Sequence, residues 1–187
     1  MHIRARGFTI VELLIVIVVI AILAAVTIVL YNDIRTKAEN EKTTEGVSKY
    51  VTALHSYVAL NGNYPVEVNY PCLGPMVGGV TCARTSGSSS TCTASGGDGG
   101  AATQNSFDTN IKQIFAGSLP QVSSQQLSCG GNTYAGAYYR PSTGNTAVIV
   151  YYLKGDQACS GIAGVLSYTK TQQEDITRCV ATLPPIP

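Results

Sequence analysis

The apolar positions of this chain change period twice. From Phe8 to Leu30 they are continuous, and only Thr9, Glu12 and Thr27 are polar. A helix over that run is about 35 Å long, enough to cross the hydrocarbon core of a bilayer. From Tyr31 to Gly46 the pattern turns polar without a break, in helix-favouring residues such as Arg35, Lys37, Ala38, Glu39, Glu41 and Lys42. Apolar residues return at Val47, Tyr50, Val51, Leu54, Tyr57 and Val58, a spacing of threes and fours that marks one face of an α-helix. Gly62 suits the position after a helix end, and Pro65 cannot continue one. The pattern predicts one helix from Phe8 to about Leu60, with no proline and with Gly46 as its sole glycine. One end would pack on lipid or sibling helices and the other on a globular head.

Beyond the helix the pattern dissolves and then becomes strand-like. Thr81 to Ser106 holds no Leu, Ile, Val, Met or aromatic residue, so it cannot bury enough apolar area to fold by itself and reads as an exposed loop. Its run Ser95-Gly96-Gly97-Asp98-Gly99-Gly100 has one carboxylate, too few oxygen ligands for calcium. It also lacks the strand and lysine-bearing helix that flank a phosphate-binding loop. A short helix is predicted from Asp108, a suitable N-cap, to Ala116, with Phe107, Ile111, Ile114 and Phe115 on one face. Strands are predicted over Tyr134–Arg140, Thr146–Leu153, Gly164–Thr169 and Ile176–Thr182, separated by turns such as Pro141-Ser142-Thr143-Gly144-Asn145. Short loops between consecutive strands predict an antiparallel meander, about Thr133 to Leu183, with one face on Tyr50, Leu54 and Tyr57. Pro184 to Pro187 reads as an exposed tail. The fold class is α+β.

Charge and cysteines add a compartment. The chain has 12 Lys+Arg and 11 Asp+Glu, and loss of Arg4 and Arg6 with a leader would bring the balance to about −1. Bulk attraction to nucleic acid is therefore unsupported, a local patch aside. Six cysteines, Cys72, Cys82, Cys92, Cys129, Cys159 and Cys179, all lie after the apolar run. An even count confined there implies three disulfides formed in an oxidising compartment, among 15 possible pairings. The wide spacings of Cys72, Cys82 and Cys92 are not those of a zinc knuckle.

The N-terminus carries the most specific pattern. His2, Arg4 and Arg6 precede the run, and no acid comes before Glu12. Positive charge there places the N-terminus in the cytoplasm and the remainder outside. The run is too long for the apolar region of a cleaved secretory signal, and Ala24 and Ala25 sit inside it rather than after it. Glu12 costs roughly 2.5–3.5 kcal/mol at a membrane helix centre, less near an end. A plain anchor gains nothing from it, whereas a carboxylate there is stabilised by a cation met on packing.

A short basic leader ending in Gly7, then Phe8, Thr9, Glu12 and an apolar run, resembles the N-terminus of type IV pilins and pseudopilins. Asn61-Gly62-Asn63-Tyr64-Pro65 also resembles the helix end of that family. The resemblance implies a leader at 1–7, a transmembrane and filament-core helix at 8–30, its amphipathic continuation at 31–62, and a disulfide-stapled head at 63–187. It implies cleavage between Gly7 and Phe8 by a prepilin peptidase, N-methylation of Phe8, and pairing of Glu12 with the Phe8 amine of a neighbouring copy. It also implies a disulfide closing a C-terminal loop, for which Cys159 and Cys179 are the candidates. The implied partners are further copies of the chain, the peptidase, an assembly platform with its ATPase, and the cytoplasmic membrane before export to an extracellular filament. No cofactor or metal is implied. The chain departs from many filament-forming pilins in lacking a mid-run glycine and a late-run proline.

Three other readings use the same residues. A minor pilin or pseudopilin shares the whole plan. A binding module would use the Ser/Gly loop or the tyrosines at 134, 138, 139, 151, 152 and 168. A membrane-tethered enzyme is disfavoured: His55 stands alone after the leader, no nucleophile elbow is present, and Glu174 and Asp175 are adjacent and so face opposite ways in an extended chain.

Overall fold

The computed structural model describes residues 9–66, 70–74, 100–101, 105–116, 118–123, 125–129, 132–141 and 145–186. The expected leader 1–7, Phe8, Cys82, Cys92 and most of the stretch 81–106 lie outside these. The chain divides into two compact units, Met1–Ala38 and Glu39–Pro187.

Helix α1 (Ile10–Asn61) runs through 52 residues without interruption, close to the expected bounds. It stops where Gly62 takes φ +75° and donates its N–H to the Val58 carbonyl at 2.8 Å, a left-handed stop that favours glycine. Within the first unit every described side chain from Thr9 to Leu30 is exposed. Within the second, Val47, Tyr50, Val51, Ala53 and Leu54 are at most 1 % exposed. The two apolar periods thus have different fates.

The second unit starts with two polar clamps on α1. The Glu39 carboxylate accepts the Ser123 hydroxyl at 2.5 Å. The Asn40 amide donates to the Lys154 carbonyl and accepts the Lys154 N–H, both at 2.9 Å. Further on, Gly46 is seated against the segment at Gln121–Val122. A Cβ there would stand 2.5 Å from the Gln121 carbonyl oxygen, so only glycine allows the close approach.

After α1 the order is β1 (Tyr70–Pro71), β2 (Gly100–Ala101), α2 (Asn105–Lys112), β3 (Leu127–Cys129), β4 (Asn132–Tyr134), β5 (Ala137–Pro141), β6 (Ala147–Lys154), β7 (Ser167–Gln173) and β8 (Ile176–Thr182). The main sheet is antiparallel with the order β5-β6-β8-β7. One face, including Tyr139, Ile149, Tyr151, Leu153, Cys179 and Ala181, packs on the α1 stripe together with Phe107 and Ile111 of α2. The other face, with Tyr138, Val148, Val150, Tyr152 and Ile176, packs under the β3–β4 hairpin through Leu127, Cys129 and Tyr134. Burial on both faces explains why β6 reads as a continuous apolar run rather than an alternating one.

The α+β class, the helix-on-sheet head and the strands β6 and β8 agree with expectation; β7 runs over Ser167–Gln173 rather than the expected Gly164–Thr169, and five further details differ. The sheet is not a sequential meander, because β8 lies between β6 and β7. Five of the seven β7 residues are exposed, which suits an edge, while the more apolar β8 takes the centre. The expected strand Tyr134–Arg140 is two strands, divided at Gly136 with φ +61°. Helix α2 starts at Asn105, so Asp108 lies inside it rather than capping it, and the chain turns after Lys112. Part of the expected loop is regular, since Gly100–Ala101 pairs in parallel with Tyr70–Pro71. The C-terminal prolines are tied down: Asn145 and Ile186 exchange hydrogen bonds, and the Tyr64 hydroxyl donates to the Pro184 carbonyl at 2.9 Å.

Candidate functional site

The start of α1 is a reciprocal cap. The Thr9 side-chain oxygen accepts the Glu12 N–H at 3.2 Å. The Glu12 carboxylate accepts both the Thr9 N–H and the Thr9 hydroxyl at 2.8 Å. This is a capping box, in which two otherwise orphaned helix donors are satisfied within one turn. Glu12 therefore helps even an isolated helix, correcting the expectation that a plain anchor gains nothing from it. The Thr-x-x-Glu spacing carried that signal in the sequence. Both bonds fall on Oε2, so Oε1 has no hydrogen-bond donor among the described residues. A cation brought up by another chain can meet that oxygen without breaking the cap.

From Ile10 to Leu30 the surface of the described residues is apolar apart from Glu12 and Thr27, and it is exposed. Ile10, Leu14, Ile17, Ile20 and Leu23 are each more than half exposed. Burying such a side chain is worth about 1.5–3 kcal/mol, so a run of them demands lipid or other helices. By length and composition α1 can cross a membrane. The Thr27 hydroxyl turns back onto the Leu23 and Ala24 carbonyls at 3.0 and 2.9 Å, which satisfies it inside the helix. Gly7 and Phe8 lie outside the described residues.

In the head, Cys159 and Cys179 form a disulfide with Cα atoms 5.5 Å apart, the pair the resemblance pointed to. It ties the β6–β7 connection to the centre of β8. Cys72 and Cys129 are also disulfide-bonded and are at most 2 % exposed. His55 is no isolated base: its Nε2 lies 2.9 Å from the Gly164 carbonyl, which pins the same connection to α1. Tyr134, Tyr138, Tyr139, Tyr151 and Tyr152 are buried, and Tyr168 is half-buried with its hydroxyl bonded to Ile162. They build or pack against the core rather than forming a surface patch. Among the described residues no group of three His, Cys, Asp or Glu side chains could hold a metal. A polar cleft of about 180 Å³ lies between Gln125, Ser128, Lys154 and Asp175.

The features that call for a partner are thus at the N-terminus. Residues 3–28 match the family model for the prokaryotic N-terminal methylation motif. The chain carries the type IV prepilin signature. The matched segment contains Gly7, Phe8, Thr9, Glu12 and most of the exposed apolar run. No curated protein and no solved structure matches the chain. The motif and the long helix followed by an antiparallel sheet together describe a type IV pilin-like protein. They imply a membrane-anchored precursor of the kind a prepilin peptidase processes.

Proposed function

We propose that this pilin-like chain is a structural subunit of an extracellular filament. It waits in the cytoplasmic membrane with its N-terminus inside, is cut between Gly7 and Phe8, and is methylated on the new Phe8 amine. It then assembles by packing its apolar helices into a filament core. The heads, held by disulfides, form the surface. The observation that carries this reading is the coincidence of the methylation motif at 3–28 with a helical run whose described apolar side chains are exposed. The Oε1 of Glu12, without a donor among the described residues, suits the role of receiving a neighbour's Phe8 amine. Cleavage creates that cation next to an apolar packing environment, where a charge pair is weakly screened.

The test is Glu12→Ala. Membrane insertion should be unchanged, since the substitution removes a costly polar group and one end of a cap. Filament yield should fall at least ten-fold, about the effect of one lost charge-assisted bond of 1.5–3 kcal/mol per subunit contact. Normal filament yield from the Glu12→Ala chain would sink the proposal. Loss of the inserted precursor would mean that the cap, rather than an inter-chain contact, is what Glu12 supplies.

A further inference from the structure

The polar cleft of the head lies where the β3–β4 hairpin meets the end of the main sheet. Three segments line it: Gln125, Leu127 and Ser128 at the start of the hairpin, Lys154 at the end of β6, and Asp175 and Ile176 where β7 turns into β8. Each segment is anchored by bonds of its own. The Lys154 backbone is held through both its N–H and its carbonyl by the Asn40 amide. Lys154 pairs with Ile176 in the sheet register, and the Asp175 carbonyl accepts the Gly155 N–H at 2.8 Å. The Gln125 N–H donates to the Ser123 hydroxyl at 3.1 Å, and that hydroxyl is bonded to Glu39. The cleft is therefore preformed, and a ligand entering it pays little to order its walls.

The lining is of two kinds. Leu127 and Ile176 are buried members of the core under the hairpin and supply the apolar part. Lys154 and Asp175 bring opposite charges to the same cleft. Among the described residues neither side chain makes a hydrogen bond or an ion pair, although both kinds of pair form elsewhere in the chain, at Glu45–Lys49 and Asp156–Lys170. At about 30 Å³ for each water, the volume of about 180 Å³ suits a solute of roughly six to ten heavy atoms. From this combination we infer that the cleft binds a small zwitterion, a free α-amino acid with a short aliphatic side chain. Its carboxylate is matched by Lys154, its ammonium by Asp175, and its side chain by Leu127 and Ile176. A neutral sugar would leave both charges without a counter-charge, and a simple anion would leave Asp175 facing it. The inference does not rest on the filament reading, because every lining residue belongs to the second unit.

The test is a titration of the isotope-labelled full chain, in detergent micelles, with L-valine, followed through its backbone amide NMR signals. Saturable shifts are expected at Ser128, Lys154 and Asp175, with a midpoint of about 1–10 mM, as befits so small a ligand. N-acetyl-L-valine lacks the cation, L-valinamide lacks the anion and D-glucose lacks both. Each should bind at least about three-fold more weakly, the effect of one lost partly exposed charge contact. K154M and D175N keep the backbone bonds and remove one charge each. In K154M, L-valine should lose its advantage over L-valinamide, and in D175N its advantage over N-acetyl-L-valine. No saturable shift up to about 50 mM, or an even drift of signals across the whole chain, overturns the inference. Equal midpoints for L-valine and D-glucose, or for L-valine and either singly charged relative, overturn it too. If the variants do not fold, the ligand series on the wild-type chain decides by the same criteria.

Discussion

Replacing Gly46 by alanine sets two effects against each other. Alanine is the better helix former by about 1 kcal/mol in a helix interior, so propensity predicts a stabler protein. Packing predicts the reverse. The new Cβ would lie 2.5 Å from the Gln121 carbonyl oxygen and 2.9 Å from Val122 Cγ2. An ordinary carbon–oxygen contact is about 3.3 Å or more, so α1 and the Gln121 segment must part by several tenths of an ångström. The oxygen belongs to the backbone, and no rotamer change moves it aside. The bond between Ser123 and Glu39 lies two residues further on and resists the shift. Overpacking of this kind costs about 1–3 kcal/mol, and here the upper end applies because backbone must move. The net is a loss of about 1–2 kcal/mol, or roughly 2–8 °C in Tm for a domain of this size. Thermal and urea unfolding of residues 31–187, which hold the whole second unit, followed by circular dichroism, measures it. Equal or greater stability in Gly46→Ala would refute the close approach and leave propensity as the winner.

Two further predictions concern the head. Replacing Cys159 and Cys179 by serine opens a loop with a sequence separation of 20, and chain-entropy reasoning puts the loss at about 3 kcal/mol; chemical unfolding checks it, and a loss below about 1 kcal/mol would contradict the reasoning. Burial, with Tyr168 nearby, pushes the Tyr151 phenol well above its usual range in the folded head. The folded state then holds that proton more tightly than the unfolded chain. Stability from this source is complete below the unfolded value of about 10 and falls as pH rises above it. Tyr151→Phe should flatten that alkaline fall, and an unchanged slope between the two proteins would count against it.

Much of this architecture is legible in the chain because its largest signals are local. The change from an all-round apolar run to a single stripe at Val47 shows which part of α1 meets its own head. The strand β6 declares itself by β-branched and aromatic residues. The place of β8 between β6 and β7 is not legible, because strand order depends on which strand can be spared from the core. That comparison joins distant parts of the chain. The divided strand at Gly136 and the tied-down tail at Ile186 fail for the same reason, since each depends on a contact far away in sequence. At the N-terminus the separation is different. Gly7, Phe8 and Glu12 mark a processing motif, while the same Glu12 also completes a Thr-x-x-Glu helix start with Thr9, two signals that share one carboxylate.

The most direct test of the central claim is mass spectrometry of filaments sheared from the native cells, reading abundance and N-terminus together. The account predicts a major component that begins at methylated Phe8 with its cysteines oxidised. A processed chain in trace amounts would make it a minor or priming subunit. A chain still beginning near Met1, or one absent from the filaments, would contradict the account.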